Sequence, residues 1–420
     1  MRLFAFTLSL AALGSCWAQE LPRTTFHGFF PAPLEHSGCV VQRIATDGMA
    51  KRAGLMEGDT LIALDDPSVG AGTEWNGTLP PSVAGTRITY TVLRNGEKKK
   101  LSATAVGRPL ETAADLDYSY TQVAHADGAF SAVLTRPKDT QAALPAVLFI
   151  QGCVCNSVVD LPEWHPYRAF SDALARGGYV VMRVEKPGIG DSRGTPACAD
   201  IDLHEEAAAF ASALKQCQHM AGVDSTRLYI MGHSLGGIIV PMIADAASLK
   251  AIATYGTSHL PWLEYFFQML RTQGTYAGAD PLQLETNMRS YHRLLYALFV
   301  EQRTPQALAA MDPTWGRALR DDFKWDGGRR LLGRDVRMYW DFNTVDLSAA
   351  WHAVSVPVLS MYGTADMEVM SPDPSQQITR MVDHGHPGNG AFRSFPGTNH
   401  SFIRTGSMEL EYASADIPAY

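Results

Sequence analysis

The pentapeptide Gly232-His233-Ser234-Leu235-Gly236 constrains this chain more than any other stretch. It follows an apolar run from Leu228 to Met231 and precedes a second from Ile238 to Ile243. The natural reading is a strand, a sharp turn and a helix. Glycines on both sides remove side chains that would clash at such a turn, so Ser234 is expected to stand clear of the sheet. The pattern G-x-S-x-G alone is weak. With Gly and Ser each near ~7% of residues, it arises by chance in about one chain in seven of this length. The rest of the sequence has to supply the context.

The N-terminus begins Met1-Arg2, runs almost wholly apolar from Leu3 to Leu13, and continues through Ser15-Cys16-Trp17-Ala18. A positive start, a short apolar core and small residues predict a signal peptide over residues 1–18, cleaved after Ala18. Leu13-Gly14-Ser15-Cys16 also resembles a bacterial lipobox, so membrane attachment is expected only if Cys16 is lipidated. No later stretch is long and apolar enough for a membrane helix. The expected location is exported, periplasmic or secreted, where disulfides form. Five cysteines follow the leader (Cys39, Cys153, Cys155, Cys198 and Cys217), an odd number. No C-x-x-C pair or Cys/His cluster suggests a metal, and no motif asks for a cofactor. The net charge of -8, with no long basic run, argues against nucleic acid as a partner.

With 420 residues the chain is long enough for two domains. Residues 25–107 read as a first unit: a strand from Gly38 to Ile44, a short helix from Met49 closing on Gly54, and a strand from Thr60 to Leu64. A hairpin follows, Arg87 to Leu93 and Lys98 to Ala103, turning at Asn95-Gly96. The phrase "AGLMEGDTLIALDD" resembles a PDZ domain, which implies a peptide ligand added as an extra strand. The matching carboxylate loop would be His27-Gly28-Phe29-Phe30, although Pro31 and Pro33 follow and remove ladder donors. Residues 108–117 read as a linker. Beyond it, in 118–420, strands at Phe130–Thr135, Pro145–Gln151, Tyr179–Val184, Arg227–Met231, Leu249–Tyr255 and Val356–Tyr362 are expected. Helices at Tyr167–Arg176 and His204–Cys217 lie between them. This alternation predicts a doubly wound, mostly parallel α/β sheet preceded by a small α+β domain. From about 259 to 351 the alternation stops and aromatics accumulate, among them Trp262, Tyr265, Phe266, Tyr291, Phe299 and Tyr339. That stretch predicts a helical cap whose aromatics serve mainly as core.

Four separate stretches of the second unit agree on one family. They are "YIMGHSLGG", "VPVLSMYGTAD", "FPGTNHSF" and "FIQGC", in which Gln151-Gly152 stands where His-Gly is more usual. Together they resemble an α/β-hydrolase over residues 120 to 410. The resemblance implies Ser234 as nucleophile, Asp366 as acid and His400 as base, in that fold's order. The oxyanion donors would be the backbone N–H groups of Cys153 and Leu235. Glu368 and Asp346 are rival acids, while His384 and His386 read as residues of an exposed glycine-rich loop. His233 is expected to orient the turn, and His259 and Trp262 to line a substrate pocket. The implied activity is ester hydrolysis, with a small-molecule ester or a peptide as substrate. The elbow and the cap also resemble the serine aminopeptidase branch, in which Glu264 or Asp280 could grip an amino terminus. A PDZ-based binding protein with an inert hydrolase body is the remaining class. In a doubly wound sheet the loops carrying Cys155 and Cys198 leave neighbouring strand ends, so these two are the expected disulfide, with Cys153 and Cys217 as alternative partners. Separate patterns and a polar join lead to the expectation that the second unit stands without the first.

Overall fold

The computed structural model describes residues 23–33, 38–45, 48–65 and 83–414. The leader and Cys16 lie outside them. The first unit is a five-stranded antiparallel sheet in chain order: β1 (Phe29–Pro33), β2 (Cys39–Ile44), β3 (Thr60–Asp65), β4 (Arg87–Arg94) and β5 (Glu97–Thr104). Its own core gathers Cys39, Val41, Leu61, Ile88, Tyr90 and Val92, alternate residues of the inner strands. Helix α1 (Met49–Ala53) stops at Gly54, whose φ of 84° is the left-handed cap that the "AG" of the motif provides. Asn95 and Gly96 both have positive φ, as the hairpin turn requires.

The expectation of a loop at His27-Gly28-Phe29-Phe30 is corrected in part. Phe29 and Phe30 are not loop residues: they pair with Ile44 and Arg43 as the start of β1. His27 is buried, its Nδ1 2.6 Å from the Tyr90 hydroxyl. Pro31 and Pro33 are tolerated because β1 is the edge strand, and the register slips between Phe30 and Pro31.

The second sheet has eight strands: β6 (Leu116–His125), β7 (Gly128–Pro137), β8 (Leu144–Ile150), β9 (Val180–Val184), β10 (Val223–His233), β11 (Leu249–Tyr255), β14 (Val358–Gly363) and β15 (Gly390–Phe395). Their spatial order is β15-β14-β11-β10-β8-β9-β7-β6, parallel from β15 to β9, with β7 antiparallel to both its neighbours. Alternate residues of the central strands feed different faces. Leu148, Ile150, Met182 and Ile230 pack with helices α3 (Leu203–Gln218) and α4 (Leu235–Ile243). Phe149, Val181 and Met231 pack with Tyr167, Phe170 and Leu174 of α2 (Pro166–Arg176). The cap runs between β11 and β14 as α5 (Trp262–Tyr276), α6 (Pro281–Leu295), α7 (Pro305–Met311), α8 (Pro313–Asp321), the short ribbon β12 (Arg330–Leu331) and β13 (Arg334–Asp335), α9 (Val336–Thr344) and α10 (Leu347–Ala353). Two further α-helices among the described residues are α11 (Asp373–Gly385) and α12 (Met408–Ser414). His384 therefore belongs to α11 rather than to a loop, with its Nδ1 3.0 Å from His352 Nε2, and His386 is the residue that ends that helix.

The stretch read as a linker is also corrected. β6 begins inside it at Leu116, and Glu111 is buried beneath the sheet. Its carboxylate accepts from the Arg183 guanidinium at 2.5 Å and from the Leu161 N–H at 2.9 Å. The units are joined upstream as well. Arg23 reaches Asp160 at 2.5 Å and Asp191 at 2.8 Å, and the Thr24 N–H donates to Asp191 at 2.5 Å. Both carboxylates are buried. Deleting residues 19–107 therefore strips two buried acids of their cation, contrary to the expectation of independence. Arg23→Ala is expected to cost about 3 kcal/mol, the low end for breaking a buried pair because Arg23 is itself a quarter exposed. A lowered urea midpoint checks it.

Cys155 and Cys198 form the disulfide expected of them, with Cα atoms 5.8 Å apart and a sequence separation of 43. Cys39 and Cys217 are buried thiols, and Cys153 is half-buried. The chain-entropy model assigns a loop of this size about 4 kcal/mol. The double variant Cys155→Ser/Cys198→Ser is expected to unfold earlier in denaturant by that amount, and only the parent protein to gain alkylatable thiols on reduction at these positions.

Candidate active site

The elbow forms because two main-chain segments approach closely. A Cβ on Gly232 would lie 2.7 Å from the Gly236 carbonyl oxygen, and one on Gly236 would overlap the Ile150 carbonyl. Only glycine fits either position. Between them Ser234 adopts φ 54° and ψ -121°, a conformation that ordinary residues avoid. Its N–H donates to the Tyr255 carbonyl at 3.0 Å, and Leu235 opens helix α4 directly after it.

His400 and Asp366 come from the last two loops beyond the sheet. His400 Nδ1 lies 2.8 Å from Asp366 Oδ2. The other Asp366 oxygen accepts the backbone N–H groups of Glu368 and Val369, both at 2.8 Å, which fixes the fully buried carboxylate. Of the rival acids, Asp346 is used elsewhere, capping α10 by accepting from the Ala349 N–H. Glu368 sits on the opposite side of the ring, its Oε2 3.1 Å from His400 Nε2. Burial works against the charged ring, but Asp366 and then Glu368 outweigh it and raise His400 to about 9.

His233, inside the elbow, is hydrogen-bonded through both ring nitrogens. Its Nε2 is 2.8 Å from the His400 carbonyl, which can only accept, so Nε2 carries the hydrogen. Nδ1 then accepts from the Tyr167 hydroxyl at 2.7 Å, and that oxygen in turn accepts the Gly152 N–H at 3.4 Å. Burial drives His233 well below the usual histidine range, so the ring is neutral and this tautomer is stable. Tyr167 was not foreseen as a site residue.

A cavity of about 400 Å³ opens beside Ser234. Cys153 and Leu235 share its wall with Ser234 and Glu368, and Trp262, Tyr265, Phe266, Tyr339 and Phe342 supply its aromatic side. Trp262, expected to line a substrate pocket, is part of this wall. His259 is not: its neighbours Ser258 and Leu260 line the cavity, while burial lowers the His259 ring and the Pro374 backbone partly offsets that. Glu264 borders a separate groove with Phe267 and His292, and Asp280 caps α6 through the Gln283 N–H.

Sequence reasoning missed a buried charge cluster next to the cavity. Lys186 Nζ is 2.8 Å from Glu206 Oε1, Arg334 reaches Glu206 Oε2 at 2.5 Å, and all three side chains are buried. Glu206 carried a signal. It shares the face of α3 with Leu203, Phe210, Ala213 and Cys217, where a carboxylate has to be paired.

Replacing Glu368 by Gln removes one of the two carboxylates that hold the imidazolium. The His400 pKa is expected to fall from about 9 by about one unit, so the neutral ring appears at lower pH. An NMR titration of the His400 ring in Glu368→Gln checks both sign and size.

A family profile described as "Alpha/beta hydrolase family" matches residues 160–413. Esterase EstD of Thermotoga maritima is 22% identical over 245 residues, 57% of this chain and 50% of its own length. Esterase FrsA of Photorhabdus laumondii is 28% identical over 139 residues, 32% and 31% of the two chains. The matched stretches thus span half or less of these relatives. Among solved structures, Est1E from Butyrivibrio proteoclasticus with bound ferulic acid is similar over 70% of this chain and 95% of that one, at 17% identity and a TM-score of 0.44.

Proposed function

The chain belongs to the alpha/beta hydrolase family, and from that premise we propose that it is an exported serine hydrolase cleaving carboxylic esters through an acyl-enzyme. The observation that carries this reading is the pairing of a strained Ser234 elbow with an Asp366-held His400 beside an aromatic cavity. Ser234 Oγ attacks the ester carbonyl as His400 Nε2 takes its proton. Asp366 keeps the ring oriented and stabilises the imidazolium that forms. The N–H groups of Cys153 and Leu235 receive the oxyanion, the second of them aided by the positive end of α4. His400 then returns the proton to the departing alcohol, and water repeats the sequence to release the acid.

Glu368 adds a condition. A ring held as imidazolium between two carboxylates cannot act as a base. Turnover requires either alkaline pH or a bound substrate that separates Glu368 from Nε2. The cavity wall favours an ester with an apolar acyl or alcohol group. The peptidase alternative loses its proposed anchors, because neither Glu264 nor Asp280 lines the cavity. The Ser234 elbow and the His400–Asp366 pair argue against an inert body. The disulfide supports export. The first unit is read as PDZ-like from its motif, with an added peptide strand as its ligand.

Ser234→Ala is expected to lower hydrolysis of short p-nitrophenyl esters by about 10⁴-fold or more and to abolish fluorophosphonate labelling, with the melting temperature preserved. His400→Ala should cost about as much, and Asp366→Asn about ten- to a hundredfold less. Labelling that survives in Ser234→Ala would put the nucleophile elsewhere.

A further inference from the structure

The cluster of Lys186, Glu206 and Arg334 has no part in the triad, yet it lies directly behind the loop that carries Cys153. Besides Glu206, Lys186 Nζ donates to the Gly152 carbonyl at 2.5 Å, and Arg334 Nη1 donates to the Cys153 carbonyl at 2.7 Å. Two cations thus share one carboxylate, and the excess positive charge is spent on two consecutive main-chain carbonyls. As a means of stability this is poor, since apolar residues of similar volume usually serve as well as buried ions. Its geometry has a different use.

The Gly152 carbonyl and the Cys153 N–H belong to one peptide unit, and among the described residues no peptide bond is cis. In a trans peptide the C=O and N–H point in opposite directions. Anchoring the oxygen on a buried ammonium aims the N–H the other way, toward the cavity whose wall Cys153 shares with Ser234. Gly152 itself faces the serine: a Cβ placed on it would lie 3.2 Å from Ser234 Cβ and 3.6 Å from Oγ. The Gly152 N–H is already given to Tyr167, so Cys153 supplies the next N–H along the loop. A cation on the oxygen also draws electron density from the nitrogen, and hydrogen bonds in such a chain strengthen one another.

We infer that Lys186 is a positioning residue for the oxyanion donor, holding and polarising the Gly152–Cys153 peptide. Glu206 keeps Lys186 in place, and Arg334 fastens the next carbonyl from the cap. This rests on the esterase reading above. Because Arg334 belongs to β13, the donor is complete only while that part of the cap is seated.

The test uses the full-length protein carrying Lys186→Met with Glu206→Gln, which avoids stranding a buried carboxylate opposite an uncharged side chain. The readouts are steady-state ester hydrolysis, its pH profile, and affinity for an aryl trifluoromethyl ketone beside the plain methyl ketone. The fluorinated compound forms a tetrahedral oxyanion on the serine, and the plain ketone reports ground-state binding. The expected result is a fall in kcat of about 10- to 100-fold, less than the 10²–10³ of losing a donor outright. KM should stay within about twofold and the acid limb unshifted, with trifluoromethyl ketone affinity falling in step with kcat. A kcat within about twofold of the parent, a loss confined to KM, or an equal loss for both ketones overturns the inference. If the double variant does not fold, Arg334→Met is read in the same way, with a smaller kcat loss of about 3- to 10-fold expected and an unchanged kcat counting against the inference. Persistent hydrolysis in Ser234→Ala would instead defeat the esterase reading, so the two failures are separable.

Discussion

The contact on which the site depends is between the main chain of Gly236 and the carbonyl of Ile150. Ile150 ends β8, and the next residues, Gln151 to Cys153, form the loop opposite Ser234. Any side chain at 236 would part α4 from β8. The elbow and that loop would then separate, because the same few atoms set the position of both. The hydrogen-bonded series from Gly152 through Tyr167 and His233 to the His400 carbonyl extends this constraint to the third loop. Three segments far apart in sequence are thereby held to one geometry by backbone approach and a neutral histidine.

Much of this was legible beforehand because it is local. The elbow needs glycine, serine and flanking apolar runs within some fifteen residues, and all stand in sequence. The central strands are buried on both faces and read as continuous apolar runs. β6 and β15 escaped for the opposite reason. "LDYSYTQVAH" alternates polar residues along an edge, and Gly390–Phe395 is largely exposed, so neither shows an apolar run. The disulfide followed from topology, since loops at neighbouring strand ends meet whatever their sequence. The sequence places a carboxylate in the turn after β14, but not on a side of the His400 ring. Asp366 and Glu368 are two residues apart and take opposite nitrogens of His400, a choice made by the backbone N–H groups that hold Asp366. Of the cap aromatics, Trp262, Tyr265, Phe266 and Tyr339 reach the cavity, while Tyr291 and Phe299 pack behind it. A helical pattern shows that a face is buried, not which neighbour buries it.

The charged residues divide in a similar way. Surface pairs such as Arg271 with Glu285 are half exposed and contribute little. Several pairs with a buried carboxylate are long-range: Arg23 to Asp191, Arg183 to Glu111 and Arg334 to Glu206 each join distant segments. A sequence shows each of these residues as an ordinary charge. Only the fold reveals that desolvation has made its partner obligatory. This is also why residues 108–117 looked like a linker, since Glu111 gives no local hint that an arginine 72 positions away needs it.

β15 carries a consequence for the protein as a material. Among the described residues it closes one end of the eight-stranded sheet with a ladder partner on one side only, and Ala391, Phe392, Arg393 and Ser394 are exposed. An open strand edge is a template for a strand from another copy. What guards it is brevity, the glycine at its start, and the Arg393 guanidinium lying 5.2 Å over the Phe395 ring. In concentrated solution this edge is one place where association between molecules can begin. A change that lengthened the strand or removed Arg393 would act on shelf life and solubility before it was felt at the serine.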